Sequence, residues 1–218
     1  IRKYLKDNQS IILRSTVFPG AMRRITKKIK NINKNIGISY CPERVAQGKS
    51  LEEIENLNQI ISTDKIIEEK KIKKLFKNIC NEVSCCTFED AEFIKLFSNA
   101  WRYVKFAISN EFYVMCRDKN LDYKKIHKIM KKDYPRNFGL PTQGFAAGPC
   151  LPKDAVQLYL SNKKRSKLIK TAHNINENLP NYFVNNLKKK LNIKGKNIGI
   201  LGTTFKSNID DERDSLSI

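Results

Sequence analysis

Short apolar runs alternate with helical patterns over the first part of the chain. Strands are predicted at residues 11–16, 36–40, 59–62 and 83–88. Helices are predicted between them, one at about 21–30 and a lysine-rich one that Thr63-Asp64 caps and that ends near Ile79. This alternation indicates an α/β domain built on a parallel sheet. Ligands of such sheets bind beyond the carboxyl ends of the strands, where Ser15-Thr16 and Pro42-Glu43 fall.

The rest of the chain is mostly helical in pattern. From Glu89 to about Lys119 there is no Gly or Pro, and the predicted helix is far longer than average. We expect it to link domains or to form a subunit interface. A second helix is predicted at about 123–131, and a third at about 165–191 with an interruption near Pro180. Residues 197–202 read as a strand that ends in glycine and opens another α/β domain.

Composition narrows the classes of function. The net charge is +20, but the lysines are spread over the whole chain, which favours small anionic ligands over nucleic acid. None of the 6 cysteines forms a CxxC pair and only 2 histidines exist, so no metal site is expected. No apolar run is long enough for a membrane span, and reduced thiols in a cytoplasm fit best. Since the chain begins at Ile1 inside a helical pattern, we expect an internal piece of a longer protein.

Residues 144–154 carry the clearest chemical signal. Small residues there let the backbone approach a ligand closely, and Pro152 suits the first turn of a helix. Cys150 would then lie at the positive end of that helix with Lys153 nearby, and both favour a nucleophilic thiolate. A structural cysteine in a Gly/Ala turn is the alternative.

Two further groups of polar residues are candidates for a site. Glu92, Lys95, Asn99 and Arg102 recur at spacings of three and four on the long, mostly apolar helix, so we expect this stripe to face a polar cavity. A partly buried lysine in such a place can stabilise an oxyanion. Phe205-Lys206 follows the last predicted strand, where a lysine suits a phosphate or a sugar hydroxyl.

Six groups of residues resemble one protein family in their order and spacing. They are Ser15-Thr16-Val17-x-Pro19-Gly20, Cys41-Pro42-Glu43-Arg44-Val45 with Gly48, Glu92-x-x-Lys95-Leu96-x-x-Asn99, Asn110-Glu111, Gly148-x-Cys150-x-Pro152-Lys153-Asp154, and Phe205-Lys206-x-x-x-Asp210-Asp211-x-Arg213-x-Ser215. Together they resemble the UDP-glucose/GDP-mannose dehydrogenases.

The resemblance implies an enzyme of three parts. Residues 1–88 would be the C-terminal part of an NAD-binding Rossmann-like domain. Residues 89–192 would be a central helical domain for dimerisation and catalysis, and residues 193–218 the start of a nucleotide-sugar-binding domain. The Gly-rich cofactor motif and most of the last domain would lie outside this chain. The implied partners are a nucleotide-sugar substrate and a second copy, with no nucleic acid and no membrane.

The resemblance also implies a role for each catalytic residue. Cys150 resembles the nucleophile that traps the C6 aldehyde as a thiohemiacetal and then a thioester. Lys95 and Asn99 resemble the pair that stabilises developing oxyanions and holds the sugar. Asp154 resembles an acid/base group near the thiol, and Glu43 resembles the glutamate implicated in substrate contact and thioester hydrolysis.

Binding residues are implied in the same way. Thr16 resembles a catalytic threonine that orders water beside the cofactor, Arg136 one that reaches a neighbouring subunit's site, and Arg213 one that closes over the cofactor. The implied nucleotide-sugar-binding residues are Glu43, Arg44, Lys95, Asn99, Arg136, Phe145, Phe205 and Lys206. The implied NAD-binding residues are Ser15, Thr16, Val17, Gln47, Lys153 and Arg213.

The resemblance implies NAD-dependent, four-electron oxidation of a C6 hydroxyl to a uronic acid for polysaccharide precursors. Cys41-Pro42-Glu43-Arg44 and Asn99-x-x-Arg102 look more like the branch that oxidises N-acetylhexosamines, so a UDP-N-acetylhexosamine is favoured. UDP-glucose and GDP-mannose stay open. The loop before Cys150 departs from the family in carrying Ala146 and Ala147, which could alter cofactor approach. A cysteine hydrolase or acyltransferase, a nucleic-acid-binding module and an inactive paralogue are the alternatives.

Overall fold

The computed structural model describes residues 2–218. It contains two compact units, the first ending at Phe97 and the second beginning at Ser98. The first unit is α/β and the second is helical.

A four-stranded sheet forms the centre of the first unit, in the order β1-β2-β3-β4. The strands are β1 (Ser10–Leu13), β2 (Gly37–Tyr40), β3 (Gln59–Thr63) and β4 (Val83–Cys85), and the helices are α1 (Ala21–Lys30), α2 (Ser50–Asn56) and α3 (Ile66–Lys77). β1 pairs with β2 in parallel, and so does β3 with β4. β2 and β3 pair antiparallel, so the prediction of a wholly parallel sheet is wrong.

The antiparallel pair follows from the connection between β2 and β3. A parallel crossover needs a helix that packs on the face of the sheet. The connection contains only α2, which has seven residues and buries none of them. It therefore returns the chain beside β2 without crossing the sheet. Hydrophobic patterning does not encode strand direction, so the sequence offered no signal for this reversal.

Apolar side chains cover both faces of this sheet. One cluster joins Met22 of α1 to Ile36, Ile38 and Tyr40, and the other joins Cys41 and Ile61 to α3. The predicted Thr63-Asp64 cap on α3 is wrong, because Lys65 is the N-cap residue and no side chain caps it. Asp64 instead accepts a hydrogen bond from the Ile38 N–H and pairs with Lys30.

Four helices follow the sheet. They are α4 (Phe88–Asp118), α5 (Tyr123–Lys131), α6 (Leu151–Ser161) and α7 (Lys167–Lys190). The breaker-free helix at 89–119 and the helix at 123–131 are thus confirmed. α7 is not interrupted at Pro180, although proline removes one backbone donor. The turn that leads to Pro180 is anchored by the buried residues Ala172, Asn176 and Leu179.

The strand predicted at 197–202 is not formed. These residues have no regular secondary structure, and Leu201 is fully exposed. A strand is stable only when a neighbour pairs with its backbone, and no strand of residues 2–218 pairs with this segment. The prediction of a strand here is wrong for residues 2–218, because the apolar alternation does not supply the pairing partner that a strand needs.

Candidate active site

The carboxyl ends of β1 and β2 bring two predicted site segments to one edge of the sheet. The two strands run parallel, the Cys41 N–H donates to Leu13 O at 2.8 Å, and the Glu43 N–H donates to Arg14 O at 3.1 Å. Thr16 and Glu43 therefore follow neighbouring strand ends on the same edge, as predicted. Ser15 is exposed there and Thr16 is half-buried.

The Glu43 carboxylate is held from several sides within the first unit. It pairs with Arg14 and accepts the backbone N–H groups of Arg44 at 2.8 Å and Val45 at 3.0 Å. Arg14 also donates to Gln59 at 3.2 Å. Both Glu43 oxygens have donors, so the carboxylate is fixed in direction.

The sequence predicted that Glu92 belongs to a polar stripe that faces one cavity. In the structure Glu92 lies elsewhere. It is fully buried and accepts the N–H groups of Gly20 at 2.6 Å and Met22 at 2.7 Å, at the N-terminus of α1. A carboxylate suits this place because of the unpaired N–H groups and the helix dipole. Arg102, at the other end of the predicted stripe, is exposed.

Cys150 lies at the N-terminus of α6 in the second unit, as predicted. It is the N-cap residue, its side chain is exposed, and Pro152 occupies the first turn of the helix. The Asp154 N–H donates to Cys150 O at 3.0 Å, which places Asp154 one turn further along the same helix. Exposure at a helix N-terminus favours a reactive thiol over a structural cysteine.

Asp154 is buried next to Asn99. The Asn99 amide donates to Asp154 Oδ2 at 2.6 Å, and Lys153 Nζ lies 3.6 Å from Oδ1. Oδ1 is buried and has no hydrogen-bond partner within residues 2–218. A buried carboxylate oxygen without a donor can still accept a proton or a hydrogen bond from a ligand.

The loop before Cys150 packs into the second unit. Ala146 contacts Tyr103 and Ala155 in a buried cluster, and Ala147 is buried as well. The ring of Phe145 lies against that of Phe183, with centroids 5.8 Å apart. The two alanine side chains are therefore part of the protein interior, which answers how the loop tolerates their β-carbons.

The segment after α7 lies against this loop. The Gly148 N–H donates to Asp214 O at 2.9 Å, and a β-carbon on Gly148 would come 2.5 Å from the Phe205 ring. Arg213 pairs with Asp211, and these hydrogen bonds raise the pKa of Arg213 most, with a smaller contribution from Cys150. Phe205 therefore lies close to Gly148, and Arg213 lies near enough to Cys150 to feel its charge.

The other predicted residues lie as follows. Lys95 is half-buried on α4, one turn before Asn99. Arg136 is exposed and stacks on Tyr134, and Lys206 and Gln47 are exposed. Val17 packs against the first hydrophobic cluster. The structure brings together Asn99 and Asp154, while convergence of Thr16, Glu43 and Lys95 on Cys150 stays a prediction.

Sequence reasoning missed two residues that organise these segments, Arg14 and Asn176, and gave no role to Asn110 of the Asn110-Glu111 motif. Arg14 was read as part of a strand, yet it fixes Glu43. Asn110 and Asn176 are fully buried amides that bond to each other at 3.0 Å. Polar residues inside otherwise apolar helix faces were the available signal, since a buried amide requires partners.

Neither a metal site nor a membrane-spanning helix is found among residues 2–218. No group of three His, Cys, Asp or Glu side chains there has a geometry that could hold a metal ion. No helix among them is long and apolar enough to cross a membrane.

An α/β sheet, a long helix and a cysteine at a helix N-terminus make up the described part of the chain. Two family models identify its class. Residues 1–80 match the NAD-binding domain, and residues 89–178 the central domain, of the UDP-glucose/GDP-mannose dehydrogenase family. The chain belongs to this family, whose N-terminal domain takes NAD.

Individual relatives point to one branch. The chain is 31% identical to the UDP-N-acetyl-D-mannosamine dehydrogenase of Methanococcus maripaludis, over all of this chain and 51% of that protein. It is 30% identical to the enzyme of that name from Campylobacter jejuni, over 99% of this chain and 56% of that protein. The chain thus spans about half the length of these relatives.

Solved structures share the fold. The UDP-N-acetyl-mannosamine dehydrogenase of Staphylococcus aureus matches with a TM-score of 0.84 and 30% identity, over 99% of this chain and 52% of that one. The enzyme from Pyrococcus horikoshii matches with a TM-score of 0.91 and 24% identity, over 99% of this chain and 54% of that one.

Proposed function

We propose that the full-length polypeptide containing these residues oxidises the C6 hydroxyl of a UDP-N-acetylhexosamine, UDP-N-acetyl-D-mannosamine first among them, to the uronic acid. Relatives named for that substrate support the choice. Overall, the alcohol, one water and two NAD⁺ give the carboxylate, two NADH and three protons. The product would serve as an activated uronic acid for polysaccharide assembly.

The observation that carries the proposal is the exposed Cys150 at the mouth of α6, with Asp154 one turn away. In the first oxidation C6 becomes an aldehyde. The Cys150 sulfur then adds to C6, the carbonyl oxygen takes a proton, and a thiohemiacetal forms. The second oxidation removes the C6 hydrogen and the hydroxyl proton, which leaves a thioester. Water attacks the thioester, the C–S bond breaks, and the thiolate is regenerated.

Other side chains of the family motifs would assist these steps. Asp154, with one oxygen bound to Asn99 and the other without a hydrogen bond, suits the transfer of protons at the C6 oxygen. Lys95 lies one turn before Asn99 on α4 and would stabilise the negative charge that develops on this oxygen. Glu43, whose direction is fixed by Arg14, would contact substrate and direct the hydrolytic water.

The residues at the sheet edge fit the nicotinamide cofactor. Ser15 and Thr16 offer hydroxyl groups beyond the carboxyl end of β1, where dinucleotides bind in such sheets. Because Glu92 occupies the N-terminus of α1, that helix is not the phosphate site. When bound, NAD⁺ accepts a hydride from C6 in each oxidation.

The alternatives are less well supported. A cysteine hydrolase needs a histidine base, but His127 bonds to Leu140 O at 3.2 Å and His173 to the Tyr103 hydroxyl at 3.2 Å. An inactive paralogue was suggested by the truncation and the lysine bias of the sequence, and the turnover assay below tests it.

A direct test is turnover by the full-length polypeptide with four nucleotide sugars. NADH and the uronic acid would be measured with UDP-N-acetyl-D-mannosamine, UDP-N-acetyl-D-glucosamine, UDP-glucose and GDP-mannose. We expect the highest kcat/KM with the mannosamine derivative and two NADH per sugar. A higher value with UDP-glucose would contradict the substrate, and no NADH with any of the four would contradict the function.

We also propose that α4 pairs with a second copy. Its exposed apolar side chains recur at helical spacing along one stripe: Trp101, Ile108, Phe112 and Met115. A second copy of this stripe would cover it by an isologous contact. Sedimentation of the full-length polypeptide should give a dimer that Trp101→Glu with Met115→Glu weakens, whereas Lys119→Glu, just after α4, leaves it intact. A wild-type monomer at micromolar concentration would contradict this.

A further inference from the structure

The segment that leads to Cys150 is held by side chains of α4 and α5. The Ser109 hydroxyl donates to Pro141 O at 2.8 Å and lies 2.7 Å from the Tyr123 hydroxyl. Since Ser109 has one hydroxyl proton, Tyr123 is the donor of the second bond. His127 Nε2 lies 3.2 Å from Leu140 O, so two successive carbonyl groups of the segment are fixed.

Asn110 binds the same segment through two hydrogen bonds to the backbone of Gly144, which together are called the Asn110 grip. Its Oδ1 accepts the Gly144 N–H at 2.9 Å, and its Nδ2 donates to Gly144 O at 3.0 Å. The side chain is fully buried. Both backbone groups of one glycine are thus satisfied by one amide, and an amide in the opposite orientation would satisfy neither.

A second amide holds Asn110 in this orientation. Asn110 Nδ2 also donates to Asn176 Oδ1 at 3.0 Å, and Asn176 Nδ2 donates to Tyr103 O at 3.1 Å. Asn176 is fully buried on α7. The network therefore joins α4, α7 and the loop, and every donor and acceptor in it has a defined direction.

The grip lies six positions before Cys150. Beyond Gly144, Ala146 is packed against Tyr103, and Gly148 has φ +88° with its N–H bound to Asp214 O. The loop is consequently fixed at its start by Asn110 and at its end by Gly148. The short loop between Gly144 and the N-terminus of α6 therefore cannot absorb a shift of Gly144, and the shift would reach Cys150.

We propose that Asn110 is a positioning residue for Cys150, acting through Gly144 without contacting the reacting atoms. The proposal rests on the proposed function where it concerns turnover, but its claim about the thiol does not. Removing the amide would leave the partly buried N–H and C=O of Gly144 without their partner, and the loop would move to satisfy them. Displacement of a nucleophile by about 1 Å can slow a reaction by roughly a hundredfold.

The test uses two variants and a matched control in the full-length polypeptide. Asn110→Ala removes the whole grip. Asn110→Asp keeps an acceptor for the Gly144 N–H but loses both donors. Asn178→Ala is the control, because Asn178 is an exposed amide of α7 that donates to Asn174 O of its own helix at 2.8 Å.

Two readouts separate positioning from a merely structural role. In turnover, kcat should fall roughly tenfold to a hundredfold in Asn110→Ala with KM for the nucleotide sugar little changed. Without substrate, the rate of Cys150 alkylation by iodoacetamide, followed by peptide mass spectrometry, should change severalfold. The half-buried Cys116 should react at its wild-type rate in the same samples.

The outcomes are distinct. A lowered melting temperature with unchanged kcat and unchanged Cys150 alkylation would overturn the proposal. If Asn110→Ala does not fold, Asn110→Asp decides by the same criteria. If the wild type oxidises no nucleotide sugar, the proposed function fails, and the alkylation rates alone still support or overturn the positioning role.

Discussion

Two cysteines lie in family motifs of this chain, and they differ in burial and in their place in the fold. Cys41 follows β2 in the first unit, is fully buried among Ile61, Ile72 and Phe76, and burial raises its pKa to about 12. Cys150 precedes α6 in the second unit and is exposed. A place in a family motif is therefore not enough to propose a cysteine as the nucleophile, and exposure at a helix N-terminus is what favours Cys150 in that role.

The two carboxylates near these cysteines show the same contrast. Glu43 is saturated by Arg14 and two backbone N–H groups. Asp154 receives one hydrogen bond from Asn99 and keeps one oxygen without a hydrogen-bond partner. The carboxylate near Cys41 is therefore fixed by its hydrogen bonds. The carboxylate near Cys150 keeps one oxygen that can accept a hydrogen bond from a ligand.

The largest expected effect is the difference in turnover between variants of the two cysteines. Cys150→Ser in the full-length polypeptide should lower NADH formation by roughly 10³-fold or more, because a neutral hydroxyl is a far weaker nucleophile than a thiolate. Cys41→Ala should keep turnover near the wild-type level and lower the melting temperature. Equal losses in the two variants, measured by steady-state kinetics, would erase the distinction between the two regions.

A smaller loss is expected from Lys95. Lys95→Ala should reduce kcat by roughly 10²- to 10³-fold, the size of a lost oxyanion donor. Lys119→Ala, which removes an exposed lysine directly after the same helix, is the control. Loss of substrate affinity with unchanged kcat would show that Lys95 serves binding and not the transition state.

Gly148 lies in the loop before Cys150, and its substitution tests whether the position of this loop matters for turnover. Gly148→Ala should lower kcat roughly tenfold or more, since its β-carbon would displace the Phe205 ring and shift the loop. Gly195→Ala is the control for backbone strain, because Gly195 also has positive φ (71°) but an open surrounding. If both variants lose the same activity, strain alone is responsible and the contact with Phe205 is not.

The smallest effect concerns Cys41 and pH. The pKa of a cysteine thiol in the unfolded chain is about 8.5. Burial raises the pKa of Cys41 in the folded protein to about 12. The stabilisation is complete below the unfolded pKa and is lost as pH rises towards the folded pKa, by at most about 1.4 kcal/mol per pH unit. Cys41→Ala should flatten this alkaline decline in melting temperature. An unchanged slope would show that other groups cause it.

Much of this architecture could be predicted from sequence, and the failures have physical causes. Helical periodicity located α4 and α5, and small residues before Cys150 located the mouth of α6. Strand direction between β2 and β3, the missing partner of residues 197–202 and the continuity of α7 depend on tertiary contacts that periodicity does not contain. Likewise the grip of Asn110 on Gly144 joins residues far apart in sequence. The predicted domain boundaries at 88 and 192 stay predictions.

The central claim is that Cys150 carries the sugar during oxidation. The most direct measurement is peptide mass spectrometry of the full-length polypeptide, quenched with acid during turnover of UDP-N-acetyl-D-mannosamine and NAD⁺. The account predicts a sugar-nucleotide adduct on the peptide that contains Cys150 and none on the peptide that contains Cys41. Steady turnover to the uronic acid with an adduct on another residue, or undiminished turnover by Cys150→Ser, would contradict it.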